Sequence, residues 1–378
     1  MTTGGTTSLE PEEKSSGRSQ GVNWGRWISG LAVIAFAGLF VAVSRTELAP
    51  RVANPNVQGR PRPVDFTVGD WWIPVYQWAI LGLLLGMIVA FCVAWRRNPG
   101  HPVLLMAICT TLIVWQDPIM NWAPFAVYNP DWLHWPEDWP LISMSPTVEP
   151  FFVFSYAIFY LVPYFPGIWI TRKLQAKGGP ESFAARHPLI TLALVVLVVG
   201  FVYDMVMEIV FIRTGMYIYS QVIPFGSLWP GTTFQFPLIW ESLGVTFVMI
   251  PAAILCYRDD TGKSVAEKLA AKAKLFPAKP VLGTFLVMFV ITNVSYFVYG
   301  GWFWAIKASG AATAVACPWP YPEAKVYDPQ GYYEKEGAVG PYSVGKWATW
   351  QSGVPNGRPD VEAPPAGQGA CAPKEPNG

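Results

Sequence analysis

Charge is what this chain has least of. Only 13% of its 378 residues are Asp, Glu, Lys or Arg, against 52% hydrophobic. So little charge excludes an ordinary soluble surface and places the chain in the membrane class. A net charge of +1 gives no electrostatic basis for nucleic-acid binding. Histidine is nearly absent: His101, His134 and His187 are the three, and none has another at helical spacing. Membrane di-iron desaturases need more imidazole than that, and a haem held between two facing imidazoles would need a pair. The last long apolar segment holds no lysine before Lys307, which excludes a retinal Schiff base inside it. No glycine-rich phosphate loop or nucleophile elbow stands out. Of five cysteines, Cys92, Cys109 and Cys256 fall in apolar segments as small fillers, while Cys317 and Cys371 lie in the tail and could pair. None has metal-ligand spacing, so neither a metal nor another cofactor is expected.

What the chain has in abundance is apolar length. Seven segments are long enough, or nearly so, to span a bilayer: 27–44, 72–95, 102–121, 150–170, 188–212, 235–257 and 281–306. The expected fold is an all-α polytopic bundle at residues 24–307, in the plasma membrane. A Gly, Ser, Thr and Glu-rich leader at 1–23 reads as disordered, and a Pro/Gly-rich tail at 308–378 as loosely ordered. Cations orient the bundle. Arg96 and Arg97, then Arg172, Lys173, Lys177 and Arg186, then Arg258, Lys263, Lys268, Lys272, Lys274 and Lys279 mark alternate loops, whereas loop 122–149 has none. The positive-inside rule puts the N-terminus in the cytoplasm and the tail outside, although Arg45, Arg51, Arg60 and Arg62 in the first outer loop oppose it.

Against that background, acidic residues at bilayer depth stand out. Asp117, Asp204, Glu208 and Glu241 lie within or at the ends of spans, and Glu149 immediately precedes one. Each buried charge costs roughly 2.5–3.5 kcal/mol on insertion scales, so such groups turn to an interior cavity and mark function. Asp204 falls sixteen residues into its segment, about 24 Å along a helix, and Glu208 one turn further. With alternating helix directions, all five carboxyls converge on one half of the membrane. Asp204 and Glu208 share a helical face, where two like charges repel and one proton is readily shared. That pairing suits a general acid beside a general base. Arg213, just beyond, is a candidate partner for Glu208 or Glu241. Trp115, Asn121, Trp122, Tyr203, Tyr217, Trp240, Asn293, Tyr296 and Tyr299 are candidate substrate contacts, each also open to a plain packing role. The loop 122–149, rich in Trp and Pro, reads as a lid over the outer mouth.

The run Trp115-Gln116-Asp117-Pro118-Ile119-Met120-Asn121-Trp122, with Tyr203-Asp204-Met205-Val206-Met207-Glu208 and Phe236-Pro237-Leu238-Ile239-Trp240-Glu241, resembles the AveC-like spirocyclase family of actinobacteria. The resemblance covers most of 25–310. It implies closure of a dihydroxy-ketone polyketide into a spiroketal, which needs acid–base groups and no redox centre. The function expected is therefore a cofactor-free cyclase or dehydratase acting on a lipophilic hydroxylated polyketide, terpenoid or lipid. A non-catalytic lipid carrier or a proton-coupled transporter is the competing reading, since intramembrane carboxyls also relay protons.

Overall fold

The computed structural model describes residues 71–121 and 126–316, except 137, 138, 140, 143 and 144, together with isolated positions between 27 and 38 and residues 66, 68, 320 and 321. Among the described residues, six helices are long and apolar enough to cross a bilayer. They are α1 (Trp72–Arg97), α2 (Pro102–Met120), α3 (Phe151–Gly178), α4 (Pro188–Arg213), α5 (Leu238–Cys256) and, after a short surface helix α6 (Val265–Lys272), α7 (Pro280–Ala308). The chain is a multi-pass membrane protein of the all-α class. The first of the seven expected segments, 27–44, lies mostly outside the described residues; the positions described between 27 and 38 are helical and exposed. The leader, Cys317 and Cys371 lie outside them altogether.

Prolines shape two of the spans. Pro118 has no N–H to donate four residues back, so the Val114 carbonyl accepts from the Asp117 N–H instead. The helix tightens into a 3₁₀ turn over Ile113–Gln116 and resumes at Asp117, leaving Gln116 and Asp117 buried. In α3, Pro163 lies in a break between helical stretches Tyr156–Leu161 and Tyr164–Gly178, and Pro166 falls in the first turn of the second. That second stretch carries α3 to Gly178, well past the expected end at 170.

Lipid tails are as apolar as leucine, so helix association here rests on close packing and buried polar contacts. At Gly167 on α3, a Cβ would come within 2.7 Å of the Val196 side chain, so only glycine lets α3 and α4 approach this closely. α5 is the central helix, the most deeply buried of the six, with neighbours α2, α3, α4 and α7. α1 is the peripheral one, with only Ile73 and Leu84 buried.

The two ends of the bundle differ in chemistry. At one end the cations gather: Arg172 Nη2 donates to the Arg258 carbonyl at 2.6 Å, and Arg258 lies over His101. His101 caps α2, its Nδ1 accepting from the Val103 N–H at 3.3 Å. Burial first, and then Arg258, lower its pKa, which keeps it the neutral acceptor the cap needs. The other end carries two small antiparallel ribbons, a departure from the all-helical expectation. β1 (Ala126–Tyr128) pairs with β2 (Tyr217–Tyr219), with Ala126 opposite Tyr219 and Tyr128 opposite Tyr217. β3 (Gln221–Val222) pairs with β4 (Ala314–Val315).

Candidate active site

Beneath the β1–β2 ribbon lies a cavity of about 170 Å³. Carboxyls enter it from three helices: Asp117 from α2, Glu208 from α4 and Glu241 from α5. Each meets a tyrosine hydroxyl. Tyr156 of α3 donates to Asp117 Oδ1, and Tyr296 of α7 donates to the same oxygen at 3.0 Å. Asn121 Nδ2, one helical turn on, donates to Asp117 Oδ2 at 3.0 Å and reaches Glu149 Oε2 at 3.4 Å. Across the cavity, Tyr219 donates to Glu208 Oε2 at 2.9 Å, and Tyr299 donates to Glu241 Oε1. Tyr217 also presents its hydroxyl to Glu208, and Tyr219 lies close enough to serve Glu241 as well. The Tyr219 hydroxyl thus sits between two carboxyls.

Local structure explains these placements. Residues two apart on a strand share a face, which turns Tyr217 and Tyr219 together into the cavity. Burial pushes both hydroxyls well above the ordinary phenol range, so they remain donors at physiological pH. On α5, Gly244 stands one turn past Glu241, and a Cβ there would meet the Tyr299 ring at 2.7 Å. The missing side chain is the space the ring occupies while it reaches Glu241.

Two carboxyls stand behind the cavity wall. Glu149 is buried just before α3, with Oε1 unpartnered. Burial, and then the neighbouring Asp117, raise its pKa well above the carboxylate range. Asp204 is completely buried between α4 and α5. Ser242 Oγ faces it, but neither that hydroxyl nor either Asp204 oxygen closes a hydrogen bond. A buried polar atom without a partner costs about 1–3 kcal/mol, so these orphaned atoms are not there for stability.

A family model described as "Spirocyclase AveC-like" matches residues 95–327. The chain belongs to the AveC-like spirocyclase family. No curated protein and no solved structure matches it. The family match takes in every carboxyl of the site, but it begins at Trp95 and so leaves most of α1 outside.

Within this AveC-like core, the sequence candidates divide. Asp117, Glu208, Glu241, Asn121, Tyr203, Tyr217 and Tyr296 line the cavity. Asn293 instead ties α7 to α2: Trp115 Nε1 and Gln116 Nε2 each donate to its Oδ1 at 2.9 Å. Trp240 donates to the Phe225 carbonyl at 2.8 Å and stacks near Trp302, away from the cavity. Arg213 pairs with neither Glu208 nor Glu241. Its guanidinium lies between the Trp229 and Phe234 rings, 4.2 and 4.5 Å from their centroids. Trp122 lies outside the described residues. From the loop 122–149, Ala126 and Tyr128 line the cavity from above. Sequence reasoning passed over Tyr128, Tyr156, Tyr160 and Tyr219, all of which line it. For Tyr219 the signal was present: Tyr217-Ile218-Tyr219 is a period-two pattern that places both rings on one face.

Proposed function

We propose that this AveC-like protein is a membrane-embedded acid–base cyclase or dehydratase for a lipophilic, hydroxylated substrate of polyketide, terpenoid or lipid origin. The observation that carries the reading is the joint exposure of Asp117, Glu208 and Glu241 to one tyrosine-lined cavity. In a spiroketal-type closure, a first hydroxyl of a dihydroxy-ketone adds to the carbonyl to give a hemiketal. A carboxylic acid then protonates the hemiketal oxygen, and the C–O bond breaks to release water. The second hydroxyl attacks the resulting oxocarbenium carbon, and its proton passes to a carboxylate. One proton is given and one is taken back, so the pair of groups is restored and the net loss is one water. Glu208 and Glu241, joined through Tyr219, suit the proton exchange. Asp117, held by three donors, presents a fixed, hydrogen-bonded carboxyl toward the cation, and the aromatic walls add to it.

The test uses purified protein in detergent, with no ion gradient, incubated with dihydroxy-ketone lipids. A product lighter by one water, formed in proportion to folded protein, is the expected result. Tight binding of the same lipids without any product would overturn the enzyme reading in favour of a carrier.

A further inference from the structure

We infer that the cavity takes its substrate sideways from the bilayer, through a fissure between α3 and α4 gated by Phe159 and Tyr203. The inference rests on the proposed reading of the cavity as a substrate site, and it names the occupant of the fissure: the alkyl portion of a membrane-dissolved alcohol or ketone.

The way in from the aqueous side is tied shut. β1 and β2 roof the cavity, and both strands are buried along their length. Trp132 Nε1 donates to the Met216 carbonyl at 2.8 Å, and Asn129 Nδ2 to the Gly215 carbonyl at 3.0 Å. Thr147 Oγ1 holds the Tyr128 carbonyl at 2.7 Å, and Gln235 Nε2 holds the Tyr219 carbonyl at 2.8 Å. An opening here would break several of these bonds together.

The flank is different. Below the break in α3, Tyr164–Gly178 packs along α4. Above it, Tyr156–Leu161 leans on α2 and α5 instead, so α3 and α4 diverge at the level of the cavity. The residues that line the cavity on this side are only half-buried: Phe159, Tyr203, Met207 and Phe211, with Ile80 from α1. Leu83 lines the cavity while 56% exposed, so the cavity wall and the outer surface of the bundle meet at this residue. Phe159 and Tyr203 bridge the fissure, their rings 5.7 Å apart between centroids. Both belong to membrane-spanning helices, so the opening faces hydrocarbon. Rotation of two aromatic side chains breaks no backbone hydrogen bond and is far cheaper than lifting a ribbon. α1, which stands across this flank, is the least buried of the helices and is fastened mainly at its roof end, where Tyr76 meets Trp132 and Gln77 accepts from the Leu133 N–H.

The test follows access and needs no turnover. The protein is reconstituted in phosphatidylcholine vesicles with hexadecanol carrying a diazirine, irradiated, and mapped by peptide mass spectrometry. Adducts on the cavity stretch of α4, around Met207 and Glu208, are expected. A Phe159→Cys, Tyr203→Cys double variant, which removes the gating rings, should label at least as strongly as the wild type, and labelling should fall severalfold once the two thiols are bridged with dibromobimane. Equal labelling of bridged and unbridged protein overturns the inference. So does a large rise in labelling on Trp132→Phe, which loosens the roof, with no response to the bridge. A protein that labels and responds to the bridge but turns over no dihydroxy-ketone keeps the lateral entrance and loses the catalytic reading; turnover with bridge-insensitive labelling does the reverse.

Discussion

Two carboxyl groups face each other across the cavity, and they are held differently. On the α2–α7 side, three donors converge on one carboxylate: Tyr156, Tyr296 and Asn121 on Asp117. On the α4–α5 side, Tyr217, Tyr219 and Tyr299 serve Glu208 and Glu241 together, while among the described residues Glu241 Oε2 and both Asp204 oxygens close no hydrogen bond. Donor-rich surroundings fix a negative charge in place. Donor-poor carboxyls joined through a hydroxyl favour exchange of a proton between them. On the proposed reading the same residue type is set to two tasks by its neighbours, and neither task could be assigned from the carboxyls alone.

The largest effect should fall on the donor-poor side. Glu208→Gln and Glu241→Gln keep shape but remove an exchangeable carboxyl proton, and each should lower turnover by about 10²–10⁴-fold. Asp117→Asn leaves proton exchange intact and should cost about tenfold, equivalent to about 1.4 kcal/mol of transition-state stabilisation. Turnover per mole of folded protein measures both, and a larger loss in the Asp117 variant would reverse the division of roles. Asp204→Asn separates the wall from the cavity: a loss well below that of Glu208→Gln is expected, because Asp204 contributes no surface to the cavity.

A middle-sized effect should come from geometry. Gly244→Ala drives a methyl into the Tyr299 ring and should pull its hydroxyl off Glu241. Activity should drop about tenfold, and the unfolding midpoint in detergent should fall. Gly301→Ala, whose Cβ would meet open space, is the control and should alter neither.

Deleting single hydroxyls sharpens the comparison in terms of stability. Tyr156→Phe leaves Asp117 two donors, whereas Tyr299→Phe strips Glu241 of its hydrogen bond on Oε1 and leaves it only the nearby Tyr219 hydroxyl among the described residues. Loss of a partner from a buried carboxyl costs about 1–3 kcal/mol, with the Tyr299 variant expected at the upper end. Denaturant titration of the two variants in one detergent gives the difference.

The smallest effect is a pH slope. The Glu149 carboxyl is raised in the folded protein by burial and by Asp117, so the native state holds a proton that the unfolded chain has released. Its contribution to stability is therefore complete below the ordinary carboxylate range and is lost as pH climbs toward the folded value. Glu149→Gln should flatten the fall of the unfolding midpoint between mildly acidic and alkaline pH, with the two proteins diverging most at the alkaline end. Parallel curves would show that Glu149 does not hold that proton.

How far the sequence spoke follows from the physics of each signal. Apolar length is a per-residue property, so the spans from 72 onward were legible with little more than Leu, Ile, Val and Phe. Misplaced charge is equally local, and it led to the carboxyls. Partners are not local. Tyr156 and Asp117 are 39 residues apart and meet only because the 3₁₀ turn before Pro118 turns Asp117 inward. Tyr217 was already a candidate, but Tyr219 went unread until the ribbon turned both into the cavity. Arg213 shows the opposite error: proximity in sequence suggested an ion pair with a glutamate, but two aromatic faces took the guanidinium instead.

The position of Asp204 and Glu208 on α4 has a consequence for biogenesis. The partners that cover them, β2 and α5, lie C-terminal to α4 and leave the ribosome later. α4 must therefore enter the membrane with both carboxyls bare, at a cost of roughly 5–7 kcal/mol on insertion scales. Sixteen Leu, Ile, Val and Phe residues accompany them in Pro188–Arg213, contributing about 5–10 kcal/mol in the opposite direction. This helix is the most apolar of the six, although it carries the acidic pair. Its surplus of branched aliphatic residues, many of them facing outward and unused in packing, is what lets a translocon release the acidic helix before the rest of the site exists.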